Sequence, residues 1–147
     1  MELSNGIFAV KLCELEREYG RLQSRIQLSQ EKDPEQLHRT LERLRDEYDE
    51  QQLLLEQAAR GCRLKAVGQL ADVQREYGQR MERILKERVE AAAADGEERQ
   101  AEAVTLYAEY AIDFATLAMR YSLMAALSAM ELQARLERKK GETDEHE

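Results

Sequence analysis

Proline occurs once in this chain, at Pro34, and glycine seven times in 147 residues, while β-branched residues are scarce. A chain so poor in helix breakers and strand formers, and dominated by Leu, Ala, Glu, Arg and Gln, is built from long helices. Its two cysteines, Cys13 and Cys62, make neither a C-x-x-C pair nor a metal set, and suit a reducing compartment in which they stay buried or idle. The opening MELSNGIFAV has no basic lead before a long apolar run, so a cytoplasmic location is expected. In the least polar region, Ala103 to Met130, the longest charge-free run is Tyr121 to Met130. That is too short for a membrane-spanning helix, which takes about 20 residues, and no membrane partner is expected. Formal net charge is −8, with acids and bases interleaved, which disfavours phosphate binding and nucleic acid as a partner.

Chemistry-bearing motifs are also missing. There is no Gly-rich phosphate loop, no G-x-S-x-G, no HExxH and no Cys/His pair at a nucleophile-and-base spacing. Glu35 and His38 have the Glu-x-x-His spacing of carboxylate-bridged metal sites, but it occurs once, in the first turn of a helix, and the other histidine is His146. No metal, cofactor or catalytic residue is assigned. Asp113 and Arg120 interrupt an apolar stretch, but they continue a face of Glu98, Glu102, Thr105, Glu109 and Thr116 at spacings of three and four, a solvated stripe. The chain reads as non-enzymatic.

What is present is one domain's worth of helix, a single helical-bundle domain at residues 1–140, followed by an acidic tail at 141–147 that is expected to be disordered. Helices are expected over about 3–31, 34–60, 62–94 and 97–140. Asp33 caps the second, with Pro34 at its first position. Asp95 and Gly96 form the turn before the fourth, whose opening Glu97 and Glu98 suit the positive end of a helix. The third break, at Gly61, has no Ser, Thr, Asp or Asn to cap a new helix. If it holds, the fold is an all-α antiparallel four-helix bundle, up-down-up-down, with a long C-terminal helix. If helices two and three are continuous, a second chain must complete the bundle.

Apolar residues fall at alternating spacings of four and three: Phe8, Leu12, Leu15, Tyr19, Leu22 and Ile26, then Leu37, Leu41, Leu44, Tyr48, Leu55 and Ala58. Ala66, Leu70, Val73, Tyr77, Met81 and Ile84 continue the pattern in the third helix, and Tyr107, Tyr110, Phe114, Leu117, Tyr121 and Met124 in the fourth. The string REYG appears twice, at residues 17–20 and 75–78, within a wider theme in which Glu-Tyr occurs once per helix. Tyr19, Tyr48 and Tyr77 are 29 residues apart, and Tyr110 is 33 further on. In an up-down bundle these four tyrosines share one middle layer, read as an aromatic core layer in preference to a pocket floored by Tyr and Glu. Gly20 and Gly78 follow seam tyrosines, where an interior glycine costs about 1 kcal/mol relative to Ala. Each is either tolerated there or leaves a notch for a neighbouring helix.

The informative departure lies after Arg120. The polar stripe stops, YSLMAALSAMEL is apolar nearly all round, and the fourth helix outruns its neighbours. Tyr121, Leu123, Met124, Leu127, Met130, Leu132 and Leu136 are therefore expected to form an interface. The leading expectation is a self-associating scaffold or adaptor, a homodimer or higher homo-oligomer. A chaperone or antagonist that binds another protein's amphipathic helix is the second reading. A bundle enzyme or ligand carrier using the Glu-Tyr layer is the third.

Overall fold

The structure, a computed structural model, describes residues 2–146, with side chains from Gly6 onward. Among these residues the chain is all-α, with no strand: α1 Glu2–Ser29, α2 Pro34–Arg60, α3 Lys65–Ile84 and α4 Glu97–Glu145. Helix α4 continues well past the expected boundary at Lys140, so the acidic tail is helical to Glu145, while Glu147 lies outside the described residues.

Local chemistry accounts for the helix ends. Asp33 stands in extended conformation, and its carboxylate accepts the Gln36 backbone N–H at 2.8 Å while the Gln36 side chain accepts the Asp33 N–H at 3.2 Å. Two of the helix's otherwise unsatisfied N–H groups are met by this reciprocal cap. Lys32 Nζ donates to Thr40 Oγ1 at 3.1 Å, tying the preceding link to the second turn of α2.

The break at Gly61 is real, and the single helix from Pro34 to about Ala94 does not form. Gly61 ends α2 with φ −78°, its N–H reaching Gln57 O at 3.1 Å, and Cys62 N–H follows to Ala59 O at 3.2 Å. Helix α3 then starts behind Leu64 with no side-chain cap. Charge ties the two helices across the turn: Asp72 Oδ1 accepts from Arg60 Nη2 at 2.9 Å and from Arg75 Nη2 at 3.1 Å. Arg75 Nη1 also lies 3.6 Å from Glu56 Oε1, an oxygen shielded from solvent.

Helix α3 was expected to run to 94. Its α-helical geometry instead stops at Ile84 and widens into a π-helical turn, Leu85–Val89, then tightens into a 3-10 stretch, Glu90–Asp95. Gly96 reverses the chain at φ 117°, ψ 156°, a region open to glycine. Its carbonyl then accepts the Gln100 N–H at 3.1 Å and opens α4.

The chain divides into two units, Glu31–Tyr110 and a second made of α1 to Gln30 with α4 from Ala111 onward. In the first unit α2 packs on α3 as an antiparallel hairpin. Among the described residues Ala71 alone is fully buried, at 4% exposure. Along α3 and its continuation the covered stripe is Gly68, Ala71, Arg75, Gly78, Met81 and Leu85, about one position from the expected seam. Small side chains let the two backbones approach, and Leu70, Val73, Tyr77 and Ile84 are left exposed on the flank.

Candidate functional site

Two places carry the candidate residues. The first is in the hairpin unit, where Tyr48 of α2, Tyr77 of α3 and Tyr107 of α4 come together. A β-carbon built on Gly78 would stand 3.0 Å from the Tyr48 hydroxyl, so the glycine of the second REYG is a filled notch. Tyr107 Oη donates to the Met81 carbonyl at 3.1 Å. Met81 lies one turn before the π-helical segment. Burial pushes the Tyr107 phenol above its ordinary value, and the charges of Glu82, then Tyr77 and Tyr48, act in the same direction. A phenol so placed stays neutral and serves as a donor.

Of the four tyrosines expected in one layer, Tyr48 and Tyr77 both act electrostatically on a third tyrosine, and that α4 residue is Tyr107 in place of Tyr110. The half-buried positions of early α4 are Gln100, Ala103, Tyr107 and Ala111, a face on which Tyr110 does not fall. The Glu-Tyr dipeptide at 109–110 drew attention to the wrong tyrosine; the usable signal was the small residues Ala103 and Ala111 one turn to either side of Tyr107. Tyr110 is 60% exposed. Tyr19 is also exposed, and its hydroxyl accepts from Gln23 Nε2 at 3.0 Å on the same helix. Gly20, the glycine of the first REYG, has nothing within 4 Å of its would-be β-carbon.

The second place is the late part of α4. Every residue from 112 to 125 is exposed, including Ile112, Phe114, Leu117, Met119, Tyr121, Leu123 and Met124. Leu127, Leu132 and Leu136 are exposed as well, and Met130 is half-buried. Asp113 and Arg120 are exposed within the same stretch. Beyond it Ala126, Ala129, Met130 and Gln133 are half-covered, and Gln133 Oε1 is a shielded oxygen without a hydrogen-bond partner. Glu131 and Arg135 pair along the helix, as their spacing predicts.

The remaining candidates are quickly placed. His38 Nε2 lies 3.1 Å from Glu42 Oε1, one turn along α2, so its partner is Glu42 and not Glu35. Among the described residues no group of three or more His, Cys, Asp and Glu could hold a metal ion. Cys13 and Cys62 are free and exposed, so of the two states expected, buried or idle, burial does not apply. Among the described residues no helix is long and apolar enough to cross a membrane. No protein-family model matches the chain, and no curated protein or solved structure shows significant similarity to it.

Proposed function

We propose that this chain is a non-catalytic helical interaction protein that self-associates through α4 and acts as a scaffold or adaptor. The observation that carries the reading is the stretch 112–125, apolar over most of its circumference and exposed at every residue. Apolar surface of that extent marks an association site, since a fully covered Leu, Phe or Met contributes about 1.5–3 kcal/mol and leaving several uncovered forgoes all of it. Methionines at 119, 124 and 130 suit a face that adapts its packing.

In this reading two copies lay their α4 faces together, with Tyr121, Leu123, Met124, Leu127, Met130, Leu132 and Leu136 as the contact residues. Up-down bundle packing is reached in the dimer, where helices of one copy supply the neighbours that the other lacks. Helix α4 is about 73 Å long and α1 about 42 Å, at 1.5 Å per residue, so α1 is shorter than α4 taken whole. A twofold pair of α4 helices presents each face to a partner of equal length.

Light scattering coupled to size-exclusion chromatography, over a concentration series, tests this. The expected mass is about twice the 17.0 kDa of the chain, and Leu127→Glu, which places a charge in the contact, is expected to return it to the single-chain value. A wild-type chain that stays monomeric at every concentration refutes self-association and directs attention to a heterologous amphipathic helix as the occupant of α4.

A further inference from the structure

The apolar seam of α1 is as bare as that of α4. Leu12, Leu15, Tyr19 and Leu22 are all exposed, and so are Phe114, Leu117, Tyr121 and Met124. Helix α1 and the part of α4 from Ala111 onward belong to one unit, so both seams stay bare although that unit holds both helices. The half-covered positions of late α4, Ala126, Ala129 and Gln133, fall on another side of that helix at about 3.6 residues per turn. Two unfilled seams of matching length therefore stand in one chain, and neither covers the other.

The charges beside the seams say how they fit. On α1 the residue preceding every second seam position is charged, as Lys11, Glu18 and Arg25, seven residues apart. On α4 the equivalent positions hold Asp113 and Arg120. In an antiparallel pair of helices such flanking positions meet their counterparts, and opposite charges there set partner and orientation. With Tyr19 beside Leu117 and Leu15 beside Tyr121, Glu18 meets Arg120 and Arg25 meets Asp113. Both pairs are opposite in sign. Glu18 pairs with Arg21 at 2.8 Å along its own helix through one carboxylate oxygen and keeps the other for this contact. Sliding α1 by one heptad brings Glu18 to Asp113 and Lys11 to Arg120; sliding it the other way brings Arg25 to Arg120. Either slip sets like charges together. A parallel pair would turn the charged flank of α1 toward Ala111, Ala118 and Ala125, which cannot answer it.

We infer that the α4 seam from Phe114 to Met124 receives α1 of a second copy of this chain, antiparallel, in the register fixed by Glu18 with Arg120 and Arg25 with Asp113. Twofold symmetry makes the contact twice. This rests on the self-association proposed above and adds a second element to it: Leu123 and Leu127 lie to one side of the seam and remain for the pairing of α4 with α4. A second copy is the occupant because the complementary pattern of apolar and charged positions is carried by this chain's own α1, and α1 leaves the α4 seam of its own chain bare.

The test uses the full chain and reads the dimer dissociation constant by dilution, with circular dichroism confirming equal helix content. Reversing the α1 charges (Glu18→Arg with Arg25→Glu) or the α4 charges (Asp113→Arg with Arg120→Glu) turns every attraction in this register into a repulsion. Each variant is expected to dimerise about tenfold more weakly, or weaker still. Mixed in equal amounts, the two variants regain opposite charges at every contact, and a heterodimer of wild-type affinity is expected. A reversal on either helix that leaves the constant unchanged overturns the assignment; if Leu127→Glu still splits that dimer, self-association through α4 stands. Rescue that appears only when all four reversals share one chain, and never on mixing, overturns the second copy in favour of each chain's own α1. A wild-type chain that never dimerises overturns both readings.

Discussion

The hydroxyl of Tyr48 lies 3.0 Å from the point where a β-carbon on Gly78 would stand, and the ring carbon that bears it lies 4.0 Å away. The first distance is tighter than ordinary packing, and the second is ordinary. A single oxygen therefore decides whether this helix position accepts a side chain. Gly78→Ala gains helix propensity of up to about 1 kcal/mol and loses it again against the oxygen. In a Tyr48→Phe background the substitution is expected to be more favourable by about 1 kcal/mol than in the wild type. Denaturant unfolding of the four proteins measures this, and strict additivity would show that the two residues do not touch.

The opposite sign is expected at Gly96. Its φ of 117° and ψ of 156° belong to a region that side-chain-bearing residues avoid at about 1–3 kcal/mol. Gly96→Ala should lower the unfolding free energy by that amount, although nothing lies within 4 Å of the added carbon and no clash is involved. Equal thermal midpoints for the variant and the wild type would contradict the backbone assignment.

Asp33 offers a test of the cap. Replacing it with Ala removes the acceptor for the Gln36 N–H and is expected to cost about 1 kcal/mol, with Asp33→Asn retaining most of the stability. Far-ultraviolet melts of the two variants distinguish loss of the cap from loss of charge.

Tyr107 gives the pH dependence. Its folded phenol titrates above the ordinary 10.0, through burial first and the neighbouring Glu82, Tyr77 and Tyr48 charges second, and it donates a hydrogen bond that the phenolate has no proton to make. Because the raised value belongs to the folded state, its contribution to stability is complete below pH 10 and is lost as pH rises through the folded value. Absorbance titration should show one of the six tyrosines ionising after the others. Tyr107→Phe should abolish that late component and flatten the alkaline fall in melting temperature.

The helical class, the cap at Asp33 and the turn at Gly96 were legible because each is set by residues adjacent in sequence, whereas the uncapped break at Gly61 left a continuous helix open as the alternative. The packing face of α3 was less so. Heptad spacing selects Leu70, Val73 and Tyr77, whereas the covered side of α3 runs along Gly68, Ala71 and Gly78, the last of them against the Tyr48 side chain. Periodicity in large side chains marks where surface needs covering, and in a single chain of this kind that is not where its own helices meet. The π-helical turn after Ile84 left no mark in composition, since Leu-Lys-Glu-Arg-Val is ordinary helix sequence. The late α4 stretch was legible as apolar sequence because the polar stripe stops after Arg120, and Tyr121, Leu123, Met124 and Leu127 there are exposed.

The four-residue link at 61–64 also sets a division in time. Closing so short a loop carries a small entropic cost, and the contacts between α2 and α3 are local ones that form at a rate independent of how much protein is present. Under the proposed self-association, contacts made by the α4 face with another copy would wait on collision instead, at a rate that scales with concentration. Refolding is then expected to separate into a fast hairpin phase and a slower bimolecular one, so that on a dilute, newly made chain the apolar stretch of α4 is the last surface to leave water.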